Sequence, residues 1–214
     1  MSEKCIRKAQ INDVQVIERI QQRALDVLAN PEELDPVPIE ELTEDIRKGL
    51  MAVAEIEGVV GAFRTMHIPD EDYLGPYAGI KNAQAAGLIY SDITIVDPDF
   101  RGLSLQRQLG EWLFAEVAAQ FNIVMATVHP DNTPSLKDKF HLGMHIIAMD
   151  QLYGGKLRFI FMKDLTQQFK FRDVVEVERQ ETERINGLLD EGYRGIGLNG
   201  DKLRFGKIDT TTYV

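Results

Sequence analysis

A chain of 214 residues, 44% hydrophobic and 27% charged, holds enough apolar material for one domain with a sizeable core plus an appendage. Its formal charge of -10 argues against a nucleic-acid partner, because a phosphate backbone rewards basic surface. No apolar run approaches the roughly 20 residues of a membrane helix, and the start, Met-Ser-Glu-Lys-Cys-Ile-Arg-Lys, has no apolar stretch of signal-peptide type. One cysteine, Cys5, and four histidines offer neither a disulfide framework nor a cluster at metal-ligand spacing. A cytoplasmic protein without a metal site is expected.

Residues 5–9 read as a short first strand. Asn12 and Asp13 are cap residues for a helix whose Val14, Ile17, Gln21, Ala24, Leu25 and Leu28 share a face, and Asn30-Pro31 ends it. Pro38 opens a second helix with Ile39, Leu42 and Ile46 inward and Gly49 near its stop. Residues 51–57 and 59–65 suit a hairpin turning at Gly58. Residues 66–87, punctuated by Pro69, Gly75, Pro76, Gly79 and Gly87, make a loop longer than compact domains usually carry without a function. It is either a substrate-covering loop to which Tyr73 and Tyr77 contribute, or a surface insertion.

Residues 89–96 follow as a largely β-branched strand, which Pro98 stops because it cannot donate to a ladder. Leu105, Leu109, Trp112, Leu113 and Val117 then fall at helical spacing. Between strand and helix lies Asp99-Phe100-Arg101-Gly102-Leu103-Ser104. A loop that opens a helix presents backbone N–H groups at the positive end of the macrodipole, which suits an anion. Arg101 and Arg107 supply the local cations that an acidic chain needs for one.

The run Val96-x-Pro98-x-Phe100-Arg101-Gly102-x-x-Leu105-x-x-x-Leu109 resembles the central motif of the GNAT superfamily of acyl-CoA-dependent N-acyltransferases. The resemblance implies that the loop of Arg101, Gly102, Leu103, Ser104, Leu105 and Gln106, with Arg107 beside it, cradles the pyrophosphate of coenzyme A. Ser104 and Gln106 stand where the family most often has small residues. The resemblance also gives the backbone N–H of Ile95 or Val96 the task of facing the thioester oxygen.

Residues 122–128 form a second buried strand, and a helix follows up to Leu142-Gly143. Asn132-x-x-Ser135 and then Leu142-Gly143-Met144 resemble the family's second motif, which implies that Asn132 hydrogen-bonds the coenzyme arm with Ser135 near it. Residues 145–150 and 156–163 flank Tyr153-Gly154-Gly155, a hairpin signal. The run Tyr-Gly-Gly-x-x-Arg-x-Ile resembles bacterial GNAT members with no assigned substrate. The implied fold class is α/β (α+β): a central twisted mixed sheet with helices on both faces over residues 1–165. Residues 166–214 are expected as a separate extension of helix plus β-hairpin, which covers a sheet edge or joins a homodimer. Arg194-Gly195-Ile196-Gly197 imitates a phosphate loop, but a hairpin turn follows where a helix would be needed.

The implied activity moves an acetyl or other acyl group from acetyl-CoA, or a longer acyl-CoA, to a primary amine of a small molecule or amino acid. A base must take the amine proton, a fixed N–H must face the thioester oxygen, and an acid must protonate the thiolate. Asp92 is the candidate base, or else a carboxylate that only binds the ammonium. Many members place a tyrosine acid seven residues after the Asn of the second motif; Lys139 stands there, expected to face solvent or a phosphate. Lys139, Tyr153 and Tyr90 therefore share the candidacy. The alternative reading is a protein that binds acyl-CoA without transferring it.

Overall fold

The computed structural model describes residues 3–28, 34 and 36–210. Contacts gather the chain into two compact units, 1–69 with 89–120 and 70–88 with 121–214. The sequence suggested a boundary at 165; instead residues 166–214 share a unit with residues 121–165 and the 70–88 segment.

In the first unit, β1 (Lys4–Lys8), β2 (Met51–Ile56), β3 (Val59–His67) and β4 (Leu88–Val96) lie in that order and pair antiparallel. α1 (Val14–Asp26) and α2 (Ile39–Arg47) bury Ile17, Ile20, Ala24, Leu42 and Ile46 against Val53, Phe63, Ile93 and Ile95 of the sheet. α4 (Leu105–Val117) packs on the other face, where Arg64, next in sequence to Phe63 and so on the opposite side, lies over the Phe114 ring at 5.4 Å. A 3-10 turn, Ile11–Asp13, leads into α1 and carries a capping box, in which Asp13 Oδ2 accepts from the Gln10 amide at 2.7 Å. Arg7 of β1 grips the same carboxylate with two donors, at 2.7 and 3.0 Å. Gln21 bonds both backbone groups of Val37 and fixes the extended entry to α2. Asn30-Pro31, the expected end of α1, falls outside the described residues.

The second unit has strand order β5-β7-β6-β9-β10-β8, from β5 (Ile123–Val128), β6 (His145–Leu152), β7 (Lys156–Asp164), β8 (Phe171–Glu178), β9 (Tyr193–Asn199) and β10 (Lys202–Ile208). α5 (Thr133–His141) and α6 (Thr182–Asp190) accompany it. The helix and hairpin expected beyond residue 166 are present, and β9 pairs with β6 at Ile146↔Gly195. Of the two roles left open for the extension, covering a sheet edge is therefore one it performs. Arg179 ties it further to α5, donating to Thr133 Oγ1 at 2.7 Å while pairing with Asp201. The 70–88 stretch is no featureless loop. It holds a short 3-10 turn, Gly75–Ala78, and one helical turn, α3 (Ala83–Ala86), capped by Asn82.

The β6–β9 contact leaves no room at residue 195, where an added Cβ would lie 2.8 Å from Ile146 Cβ. Gly195→Val is expected to destabilise the protein by about 1–3 kcal/mol, in the manner of overpacking. Urea unfolding measures it, and a midpoint equal to wild type would show that β9 does not seat on β6 this way.

Candidate functional site

The Arg101–Arg107 segment is built by its neighbours in the first unit. Pro98 ends β4, and Asp97 Oδ1 accepts from the Asp99 amide at 3.0 Å, starting a 3-10 turn over Pro98–Phe100. Arg23 of α1 reaches Asp97 at 3.3 Å and Asp99 at 2.8 Å, clamping that turn. Phe100 lies on Gly61 of β3, where a Cβ would meet its ring at 2.5 Å. Gly102 and Ser104 take left-handed backbones, φ 81 and 57. The Leu103 carbonyl accepts from Lys4 Nζ at 3.3 Å and Gln108 Nε2 at 3.1 Å.

The result is a row of amides. Among the described residues, no backbone acceptor meets the N–H groups of Gly102, Leu103 and Ser104. Those of Leu105, Gln106 and Arg107 open α4 and have no carbonyl one turn earlier. Such a nest at a helix N-terminus binds anions. Arg101 is exposed at its rim, while Arg107 is tied to Glu111 at 3.1 Å. Open space lies over Gly102, where an added Cβ meets nothing within 4 Å.

Further back along β4 is a feature that the sequence did not reveal. β3 and β4 pair at Phe63↔Ile95 and Arg64↔Thr94, and again at Met66↔Ser91 and His67↔Tyr90. Thr65 alone thus opposes both Asp92 and Ile93, a β-bulge that releases backbone from the ladder. Asp97 donates to Gly61 O at 2.9 Å, so the two-residue alternation turns the Ile95 amide toward β3 as well. Ile95 is thereby corrected as a thioester donor. Val96 points the other way, but it lies four residues, about 13 Å of strand, from Asp92. The bulge puts released backbone next to the exposed Asp92 carboxylate instead.

Asp92 has company on this side of the sheet. Asp45 of α2 is fully buried; Thr65 Oγ1 donates to its Oδ2 at 2.7 Å, and its Oδ1 lies 3.3 Å from His67 Nδ1. Glu41 Oε1 is 3.4 Å from the same nitrogen. The Asp45 hydrogen bond, outweighing desolvation, raises the His67 pKa above its ordinary value, and the charges of Glu41 and Asp92 add to the rise. Neither Asp45 nor His67 was a sequence candidate. The one available signal was an acidic residue three places after Leu42 on the buried face of a helix.

Apart from Tyr90, the remaining candidates stand in the second unit. Asn132 caps α5, its Oδ1 accepting from the Ser135 amide at 3.0 Å, so Asn-x-x-Ser is first a capping pair. Lys139 does not face solvent as expected: it is 5% exposed, on α5, with Nζ 3.5 Å from the equally buried Asp138. Tyr90, in β4 of the first unit, is also buried. Tyr153 is exposed, with its hydroxyl 3.0 Å from both Tyr73 OH and Thr127 Oγ1. Tyr77 donates to Asp150 at 2.5 Å, and that bond pushes the Tyr77 pKa up to about 12. The 70–88 segment is thus fastened to the β6–β7 hairpin through two phenols.

No family model matches the chain, and no curated protein matches it in sequence. Solved structures do match. A putative acetyltransferase, yncA of Salmonella typhimurium with its cofactor acetyl-CoA, shares 20% identity at a TM-score of 0.59, covering 77% of this chain and 95% of its own. The ribosomal-protein-S18-alanine N-acetyltransferase of Escherichia coli shares 16% at a TM-score of 0.57, covering 78% and 96%. A GNAT-family acetyltransferase of Listeria monocytogenes shares 14% at a TM-score of 0.57, covering 75% and 94%. The likeness is one of fold: this chain has the α/β fold of the GNAT acetyltransferases, and these neighbours are covered almost whole while part of this chain has no counterpart in them.

Gly61→Val is expected to push Phe100 off β3 and loosen the 98–104 turn. Cleavage by trypsin after the exposed Arg101 should become several-fold faster under native conditions. An unchanged cleavage rate would mean that the turn does not depend on the Gly61–Phe100 contact.

Proposed function

We propose that the chain is an acyl-CoA-dependent N-acyltransferase that moves an acetyl group from acetyl-CoA to a primary amine of a small molecule or amino acid in the cytoplasm. The observation that carries this reading is the row of six backbone amides from Gly102 to Arg107, in a fold shared with a putative acetyltransferase solved with acetyl-CoA. Six N–H donors in a row, with open space at Gly102 and Arg101 at the rim, fit a diphosphate. The thioester supplies an acyl carbon that an amine attacks, with the thiolate as leaving group.

Each group of the chain then has a role. Backbone released at the Asp92–Ile93 bulge, or the Val96 amide, donates to the thioester oxygen as it gains charge. Asp92 accepts the amine proton or holds the ammonium ion before the proton leaves. Asn132 and Ser135, at the start of α5, bind the coenzyme arm. Tyr153, an exposed phenol, is the preferred proton donor to sulfur over the buried Lys139. The second reading, acyl-CoA binding without transfer, draws on Lys139 standing where the family's tyrosine is expected.

Calorimetry with coenzyme A tests the nest. Binding should be measurable, and Gly102→Val should weaken it by about 1–3 kcal/mol, through strain at φ 81 and through crowding of the open space. Absence of binding to wild type would end both readings. Release of free thiol from acetyl-CoA across an amine panel separates transfer from mere binding.

Asp92→Asn separates the two roles of that carboxylate. As the base, its loss should lower kcat by about 10²–10⁴-fold. As a binding group only, it should raise KM for the amine at similar kcat. Wild-type kinetics in the variant would remove Asp92 from the site.

A further inference from the structure

We infer that His67 is the group that takes the proton from the acceptor amine, with Asp45 as its positioning residue and Asp92 left to bind the ammonium ion. This rests on the acyl-transfer reading above.

The geometry carries it. His67 stands at the end of β3, directly opposite Tyr90 of β4 and close to the bulge at Asp92–Ile93. Its Nδ1 faces Asp45 Oδ1 at 3.3 Å and Glu41 Oε1 at 3.4 Å. Two carboxylates on one nitrogen fix the proton there, which makes Nε2 the basic atom of the neutral ring. Among the described residues Nε2 has no hydrogen-bond partner. The ring is half-buried, its side chain 23% exposed, so the second nitrogen is open to a ligand or to one water.

Asp45 is the unusual member. A carboxylate with no solvent exposure is costly unless its oxygens are satisfied. Here Thr65 takes one oxygen and His67 the other. Pairing an imidazole with a buried carboxylate that is itself held by a hydroxyl orients the ring and stabilises its protonated form. The charged groups facing His67 are Glu41 and Asp45 from α2 and Asp92 from β4, all acidic. They favour the imidazolium and they favour a cationic guest.

The proton balance is simple. The ammonium gives one proton to Nε2, and the freed lone pair forms the new C–N bond to the thioester carbon. The C–S bond breaks, the second nitrogen proton ends on sulfur, and the imidazolium returns its proton to solvent. A base for an amine works best near the ambient pH. An imidazole, ordinarily near ~6.5 and raised by its carboxylates, is closer to that than an aspartate, ordinarily near ~3.9.

The test uses the full chain and an amine that wild type acetylates. kcat/KM should rise with pH along a limb set by His67, with its midpoint above the ordinary histidine value. In His67→Gln the limb should vanish and kcat fall by about 10²–10⁴-fold, while coenzyme A binding by calorimetry stays as in wild type. Glu41→Gln removes a partly exposed carboxylate, so the limb should move to lower pH; Asp45→Asn should move it further. If the Asp45 variant does not fold, the Glu41 shift and the proton-NMR titration of the His67 ring in wild type decide. A pH limb unchanged in His67→Gln would overturn the inference while leaving acyl transfer intact. A wild-type chain that binds coenzyme A but acetylates no amine would sink this assignment together with the transfer reading.

Discussion

Among the described residues the amides of Gly102, Leu103 and Ser104 meet no backbone acceptor and those of Leu105, Gln106 and Arg107 open a helix, and much of the first unit serves to hold this row in place. A helix start always leaves N–H groups over; here left-handed turns at Gly102 and Ser104 extend the surplus backward into the loop. The conformation needs support from outside the loop. Arg23 pins Asp97 and Asp99, Gly61 makes room for Phe100, and Lys4 and Gln108 draw the Leu103 carbonyl to one side. Each support comes from a different element, so the nest is only as ordered as the packing of α1, β1 and β3.

A protein of net charge -10 that holds an anion must separate its charges in space. At the nest the acidic residues Asp97 and Asp99 are spent on capping and on Arg23, which leaves the amides and Arg101 to set the local potential. Near the bulge, carboxylates at Glu41, Asp45 and Asp92 gather around one histidine. The same strand thus leads from a cluster of carboxylates to a loop rich in amide donors, a polarity in line with the proposed pairing of a cationic acceptor and a polyanionic donor.

Element order was legible because it follows from periodicity and breakers: α1, α2, the β2–β3 hairpin, β4, α4 and the β9–β10 hairpin all lie within a few residues of where the pattern puts them. The loop after Pro98 was legible for the same reason. Features set by register were not. A bulge at Asp92–Ile93 depends on how two strands slide past each other, and Gly61 matters only because Phe100 lands on it. Asp45 drew no reading from the helix pattern alone; Thr65 and His67, twenty residues or more away, are what satisfy it in the core. The pairing of β9 with β6 was equally illegible, since it joins residues across a long stretch of sequence.

Tyr153 shows how a local conflict can mark a site. Its backbone sits at φ 51 beside Gly154 and Gly155 at 79 and 100, a region that costs an L residue about 1–2 kcal/mol. A third glycine would relieve that cost and still turn the hairpin. What only the tyrosine supplies is a hydroxyl within 3.0 Å of Thr127 and Tyr73, under a ring that Arg158 approaches at 5.5 Å. Lys139, which stands at the family's usual acid position, has its ammonium buried against Asp138 and would have to break that pair to act. Strain kept at an exposed phenol, against burial at the expected position, is what favours Tyr153 over Lys139 in the proposed role of acid.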